Sequence, residues 1–344
     1  MIGTTFDDNR YEILDRLGEG AAADVWKAYD THQHQLVALK LFRPGLSTIH
    51  AYGEATILTA LEGPNILRVF NADTYGDIPY IATRIAGMGT AEAFVAVNPL
   101  GLPADTVVSW VRQALVGLGA CHDRRLVHRD IKPANIFLDT PEFALLGDFG
   151  LAYQLDLDGT SPAEGSPHTI APEMWATGRG SVASDIYSMG VSTYRLLTGK
   201  WPFDATTREA ISALVQAGQC TRLRDLAPHV SRRLAERVEK AMALDPANRY
   251  STWREMHAEL GRSGVVGRVW RRQRPHPGHD RCWVETSVLS GLPHDVCVIP
   301  KDARRADIEV RCAGGAKRRV ARLCRARVET TRLAVTLRDV FDHF

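Results

Sequence analysis

Apolar and polar positions repeat with two different periods along this chain, and the change of period divides it. Near the start, Tyr11-Glu12-Ile13-Leu14-Asp15-Arg16-Leu17 alternates as a half-buried strand does, and a strand resumes from Ala22 to Tyr29. Val37-Ala38-Leu39-Lys40 and the run from Ile78 to Ile85 read the same way. A helix is expected from about Tyr52 to Leu61, with Ile57, Leu58 and Leu61 on one face. From Asp105 the period lengthens. Val108, Val111, Leu115 and Leu118 repeat as on a helix reaching Asp123, and the spacing from Asp204 to Leu260 is helical, with Pro228 and Pro246 in connectors. Past about Arg262 short alternating runs return. Cys282 to Val288, Asp295 to Ile299 and Asp307 to Cys312 have strand character. Gly314-Gly315 suggests a hairpin turn, Lys317 to Val328 suits a strand or an amphipathic helix, and Leu333 to Phe344 reads as a short helix.

Composition adds one thing that the pattern does not show. The net charge of +2 over 344 residues conceals an asymmetry. Acidic residues exceed basic ones by about 7 up to Gly261, whereas basic exceed acidic by about 9 from Arg262 onward. No apolar run approaches the roughly 18 residues a membrane span needs, and the N-terminus lacks a basic-then-apolar leader pattern, so a cytoplasmic protein without a membrane partner is expected. Six scattered cysteines without a CxxC pair suit reduced thiols.

Candidate chemistry concentrates between Leu126 and Gly150, which reads LVHRDIKPANIFLDTPEFALLGDFG. His128-Arg129-Asp130, Asn135 and Asp148-Phe149-Gly150 together resemble the catalytic loop and metal-binding segment of protein kinases, in particular the bacterial Hanks-type serine/threonine kinases. The resemblance continues on both sides. Gly18-Glu19-Gly20-Ala21-Ala22-Ala23-Asp24-Val25 is similar to the family's glycine-rich loop, with Ala23 in the third glycine position. Lys40 closes the strand that carries the ATP-anchoring lysine, and Glu54 falls where its partner glutamate sits. Ala171-Pro172-Glu173, Asp185 and Arg249 match three structural positions that mark protein kinases among related phosphotransferases.

What the resemblance implies can be put residue by residue. Lys40 and Glu54 orient the ATP phosphates, while Asn135 and Asp148 hold Mg²⁺, or Mn²⁺ in its place. Asp130 positions and deprotonates the acceptor hydroxyl, and Lys132, the choice of kinases acting on serine or threonine, offsets charge on the moving phosphoryl group. Gly18, Gly20 and Val25 cover the phosphates. Ala38, Thr83, Arg84, Ile85 and Ala86 surround adenine, with Thr83 at the back of the pocket and the next three in the hinge. No side-chain role passes to Arg84, which stands where an acidic residue is common.

The segment from Leu151 to Ile170 is rich in Gly, Pro, Ser and Asp and is expected to be a mobile loop. Arg129 could pair with a phosphate placed on it, so regulation by autophosphorylation at Thr160, Ser161, Ser166 or Thr169 is expected. Of these, Thr169 is expected to help position substrate and Asp130.

The reading is therefore α+β: a two-lobed protein kinase fold over residues 1–261, with a β-rich N-lobe at about 10–85 and a helical C-lobe at about 86–261. A basic linker over 262–280 and a small basic α+β domain over 281–344 follow. That domain resembles no family. Its Arg304, Arg305, Lys317, Arg318, Arg319, Arg322, Arg325 and Arg327 suit a nucleic acid or acidic partner, or a solvated basic face docked on the acidic lobe. His276-x-x-His279-x-x-Cys282 with His294-x-x-Cys297 offers zinc-type ligands, though scattered His and buried Cys also occur without metal. Against an active kinase of protein serines or threonines stand a pseudokinase scaffold and a regulatory module acting through the basic domain.

Overall fold

The computed structural model describes residues 1–19, 23–43, 61, 63–263, 269–286, 293–312 and 318–344. Glu54, Gly20, Gly314-Gly315 and Lys317, and most of the helix expected over 52–61, lie outside the described residues.

The alternating segments of the N-lobe become β1 (Thr5–Phe6), β2 (Tyr11–Glu19), β3 (Ala23–Asp30), β4 (Gln35–Phe42), β5 (Val69–Tyr75) and β6 (Ile78–Arg84). They form one antiparallel sheet in the order β1-β2-β3-β4-β6-β5. Tyr11, Ile13, Val37, Leu39, Leu41, Tyr80 and Ala82 share its core face. Since successive side chains of a strand point to opposite faces, Lys40, between Leu39 and Leu41, projects the other way. Leu17, which strict alternation would put on the face of Tyr11 and Ile13, is exposed. Register shifts between Ile13 and Asp15 and between Arg16 and Gly18 break the period there.

The C-lobe is built from α1 (Ala91–Val97), α2 (Ala104–His122), α3 (Pro172–Thr177), α4 (Val182–Thr198), α5 (Arg208–Gln216), α6 (Leu223–Leu226), α7 (Arg232–Ala241) and α8 (Trp253–Gly261). Short two-stranded pieces lie among them: β7 (Leu126–Val127) with β10 (Tyr153–Gln154), β8 (Ile136–Thr140) with β9 (Phe143–Leu146), and β11 (Ser161–Pro162) with β12 (Arg179–Gly180). Helix α2 buries Val107, Val111, Ala114, Leu115 and Leu118, the face the sequence period predicts. Gly119 on the same helix has no room for a side chain, because a Cβ there would run into the Trp253 ring of α8. Helix α4 is buried nearly all round, opens with a Ser181–Ser184 capping box, and stops at Gly199 in the left-handed conformation (φ 71°).

The tail folds as a meander, β13 (Trp270–Gln273), β14 (Arg281–Glu285), β15 (His294–Asp302), β16 (Arg305–Cys312) and β17 (Arg325–Glu329), paired in sequence order, with α9 (Leu333–Asp342) across one face. Trp270, Trp283, Val296, Val298, Ile308 and Val310 meet Leu333, Leu337, Val340 and Phe341 in its core. Two expectations change. Residues 262–280 are not linker throughout, because Trp270-Arg271-Arg272-Gln273 pairs with β14. The segment before Val328 is neither one strand nor one helix, but a short 3₁₀ turn at Ala321–Leu323 followed by β17.

This tail rests on the C-lobe. Arg224 of α6 holds both carboxylate oxygens of Asp342, at 2.6 and 3.1 Å, and Arg338 pairs with Asp225. The indole N–H of Trp283 donates to His229 Nδ1 at 3.0 Å. Among the described residues no helix is long and apolar enough to cross a membrane.

Candidate active site

The loop after β7 is shaped by one buried carboxylate. Asp185 of α4 accepts the backbone N–H of His128 at 2.8 Å and of Arg129 at 2.9 Å, and its Oδ2 lies 2.9 Å from His122 Nε2. Burial pushes the Asp185 carboxyl up, but the His122 hydrogen bond and nearby His128 outweigh it, so it stays below the ordinary carboxylate range. With its N–H groups held, Arg129 takes a left-handed backbone (φ 66°), which swings Asp130 inward.

Asp130 is then the centre of a hydrogen-bonded cluster. Its Oδ2 accepts from Lys132 Nζ at 2.8 Å and Asn135 Nδ2 at 3.1 Å. Its Oδ1 accepts from the Ser166 hydroxyl at 2.7 Å and the Ser166 N–H at 3.2 Å. Lys132 also reaches Ser166 Oγ at 2.9 Å. Asn135 donates a second bond to the Asp130 carbonyl at 2.8 Å, and its own carbonyl accepts Gly147 N–H at 3.0 Å. That bond ties the Asn135 turn to the segment carrying Asp148.

Asp148 is itself left-handed (φ 58°), and its Oδ1 lies 2.7 Å from Lys40 Nζ. Burial raises its carboxyl, but the Lys40 ammonium more than compensates and the net shift is downward. Phe149 is fully buried with its ring 4.8 Å from that of His128. Above, register places Gly18 beside Val25, Val25 beside Lys40 and Lys40 beside Ile81 in one row of the sheet. Ala38 pairs with Thr83 in the next row but one. Ile85 and Ala86 follow β6, and hydrogen bonds of Met88 and Gly89 with Leu138 stitch this connector to β8. The Arg84 guanidinium bonds Asp139 at 2.5 Å. The row holds Gly18, Val25 and Lys40, the cluster joins Asp130, Lys132 and Asn135, and the Lys40–Asp148 pair and the Gly147–Asn135 bond connect the two.

One expectation is corrected here. The Thr169 hydroxyl bonds elsewhere than at Asp130. Thr169 is buried, with its hydroxyl on the Ser166 carbonyl at 3.2 Å and its own carbonyl bonded to Ser188 at 2.7 Å. Ser166 occupies the place foreseen for it. The segment reaches Asp130 at a turn, where Thr169 N–H and Ile170 N–H both return to the Ser166 carbonyl.

The rest of that segment is held by arginines. Arg129 donates to the carbonyls of Leu151 at 2.5 Å and Pro162 at 3.0 Å and lies over the Tyr153 ring. Arg179 pairs with Asp156 at 2.5 Å and hydrogen-bonds the Thr160 hydroxyl. Arg249 grips Glu173 through two bonds of 2.8 and 2.7 Å, and Ser184 adds a third.

Residues 11–260 match the model of the protein kinase domain. The chain belongs to the protein kinase family. Members of this family use ATP and a divalent metal. The kinase domain is 31% identical over 260 residues to the serine/threonine-protein kinase PrkC of Bacillus subtilis, covering 73% of this chain and 40% of that protein. It is 31% identical over 271 residues to the serine/threonine-protein kinase PknB of Mycobacterium leprae, covering 73% and 42%. A third relative, PknL of Mycobacterium tuberculosis, is 29% identical over 262 residues, covering 74% and 65%. The chain thus spans about two fifths of the length of the first of these relatives. Outside the kinase domain, Arg304, Arg305, Arg318, Arg319, Arg322 and Arg327 are exposed, whereas Arg325 pairs with Asp339 at 3.2 Å.

Proposed function

We propose that this kinase transfers the ATP γ-phosphoryl group to serine or threonine hydroxyls of proteins. The observation that carries the reading is the serine hydroxyl of Ser166, hydrogen-bonded at once to the Asp130 carboxylate and the Lys132 ammonium. That pair is able to orient a hydroxyl, accept its proton and neutralise incoming phosphoryl charge. Phosphoryl transfer asks a protein mainly for such positioning and charge compensation. The names of the relatives support a serine/threonine acceptor.

Mg²⁺ fits the donor set, one carboxylate and one amide joined through the Gly147–Asn135 bond. Asp148 and Asn135 would hold it, and it would neutralise phosphate charge and polarise the γ-phosphoryl group. Asn135 has its nitrogen engaged by Asp130, which leaves its oxygen as the ligand atom. In this reading Lys40 orients the phosphates, a role the family resemblance gives to Glu54 as well, and Gly18, Gly20 and Val25 belong to the segment that would cover them. Ala38, Thr83, Arg84, Ile85 and Ala86 enclose adenine.

Autophosphorylation of the segment is part of the reading. Of the four candidates, Ser161 and Thr169 are buried, Thr160 is half-buried and faces Arg179, and Ser166 is the hydroxyl already seated at Asp130.

The test is labelled-phosphate transfer from Mg·ATP by the purified chain, beside Asp130→Ala and Asp148→Ala, with phosphopeptide mapping of the product. Activity should fall at least ~10²-fold in both variants, and label should sit on serine or threonine. A parent no better than its variants, on itself and on generic protein substrates, would turn the reading toward a scaffold.

A further inference from the structure

The outer face of the tail sheet carries a polar cluster unrelated to phosphoryl transfer. Period two along β14 and β15 sends Trp283, Val296 and Val298 into the core under α9 and turns Cys282 and Cys297 to the opposite side. There the two cysteines are direct cross-strand partners, 0% and 6% exposed, although neither belongs to the apolar core. Their cover is the connection from β13 to β14. It turns at Gly278 (φ 79°) and brings His276 and His279 over the sulfurs.

Three of the distances are those of a coordination shell. His276 Nδ1 is 3.5 Å from Cys282 Sγ and 3.5 Å from Cys297 Sγ, and His279 Nδ1 is 3.4 Å from Cys282 Sγ. All four ligand atoms lie within 4.8 Å of one another. Around a tetrahedral Zn²⁺, with bonds of about 2.3 Å to sulfur and 2.0–2.1 Å to nitrogen, the N···S edges are about 3.5–3.6 Å.

We propose that His276, His279, Cys282 and Cys297 bind one Zn²⁺. Two thiolates and two neutral imidazoles balance the dication, so the site is neutral where it is buried, and binding releases the two thiol protons. Four protein ligands leave no open position, which makes the ion a structural staple. It ties the β13–β14 turn to the β14–β15 ladder in a small domain whose described residues form one sheet and one α-helix, a size at which such staples contribute most. The Gln273 amide stands 3.4 Å from His276 Nε2, where its oxygen, once turned inward, would accept the Nε2–H that a metal-bound Nδ1 requires. His294 takes no part. Three residues from Cys297 along a strand, it points to the other face and bonds Glu285 at 2.9 Å.

The experiment is metal analysis of the untagged 344-residue chain purified from zinc-containing medium, beside Cys282→Ser, His276→Gln and the control Cys312→Ser. The parent and control should carry about one zinc per chain and the two ligand variants less than about a tenth of that. Should the variants fail to fold, the parent decides alone, because Co²⁺ exchanged for zinc must give the intense visible absorption of a tetrahedral thiolate site. Zinc retained by both folded variants would overturn the proposal. So would a parent without zinc that gives no such cobalt spectrum, or one whose intact mass shows Cys282 and Cys297 joined as a disulfide.

Discussion

The Ser166 hydroxyl completes a three-way contact with Asp130 and Lys132, and its loss would leave two charged groups to find their own geometry. Ser166→Ala should therefore lower kcat about 10- to 100-fold with KM for ATP nearly unchanged, since ATP meets other residues. Ser166→Thr, which keeps the hydroxyl, should restore most of the rate. Steady-state kinetics on a peptide substrate decide it, and an alanine variant with parental kcat would remove the positioning role. The sequence allowed only part of this to be read. Asp130, Lys132, Asn135 and Asp148 sit in motifs that the family resemblance identifies, and their roles were read from it. Which hydroxyl of Ser166 or Thr169 reaches Asp130 depends on a turn four residues long, and composition says nothing about where that turn falls. The glycine before Ser166 was the available signal. Gly165 has φ 136° and passes so close to the Arg129 carbonyl that a Cβ would collide with it, marking the point where the segment touches the catalytic loop.

At the scale of elements, the pairing of α3 with the connector before α8 was legible because both partners lie in recognisable motifs. Arg249 is fully buried along its side chain and bidentate to Glu173, with its remaining donors on the carbonyls of Ala243, Leu244 and Ala183. Removing one partner of such a pair strands the other charge. Arg249→Met should cost about 3 kcal/mol, the low end of the range for buried pairs because Glu173 keeps some solvent, and lower the thermal midpoint by on the order of 10 °C. Thermal unfolding of Arg249→Met beside Glu173→Gln/Arg249→Met tests this. The double variant should recover part of the loss, and equal losses in the two would show that the pair's charge is not the cause. Strand β13 shows why other elements stayed hidden. Trp270-Arg271-Arg272-Gln273 has one apolar residue in four, and it is a strand only because β14 supplies its partner. Non-local pairing of that kind leaves no periodic trace in so short a run.

For the whole molecule, the charge asymmetry left a basic face docked on the acidic lobe as one of two readings, and the tail does dock, but by mixed pairs in both directions, Arg224 to Asp342 and Arg338 to Asp225. At the centre lies His229, half-buried among Trp283, Phe341, Arg224 and Arg272. Burial first, then the two arginines, push its imidazole down to about 3 from an ordinary 6.5. The Trp283 N–H needs a neutral Nδ1 to donate to. A base whose folded value is depressed stays neutral while the unfolded chain takes up a proton, so its effect is absent above about pH 6.5 and costs stability as pH falls toward 3. Urea unfolding of the parent should lose up to about 1.4 kcal/mol per pH unit more than His229→Gln between pH 6 and 4.5, before general acid unfolding dominates. Glutamine keeps an acceptor for Trp283 but does not titrate, and the shared carboxylates cancel in the comparison. Parallel pH slopes for the two proteins would mean that His229 is not what couples tail docking to protons.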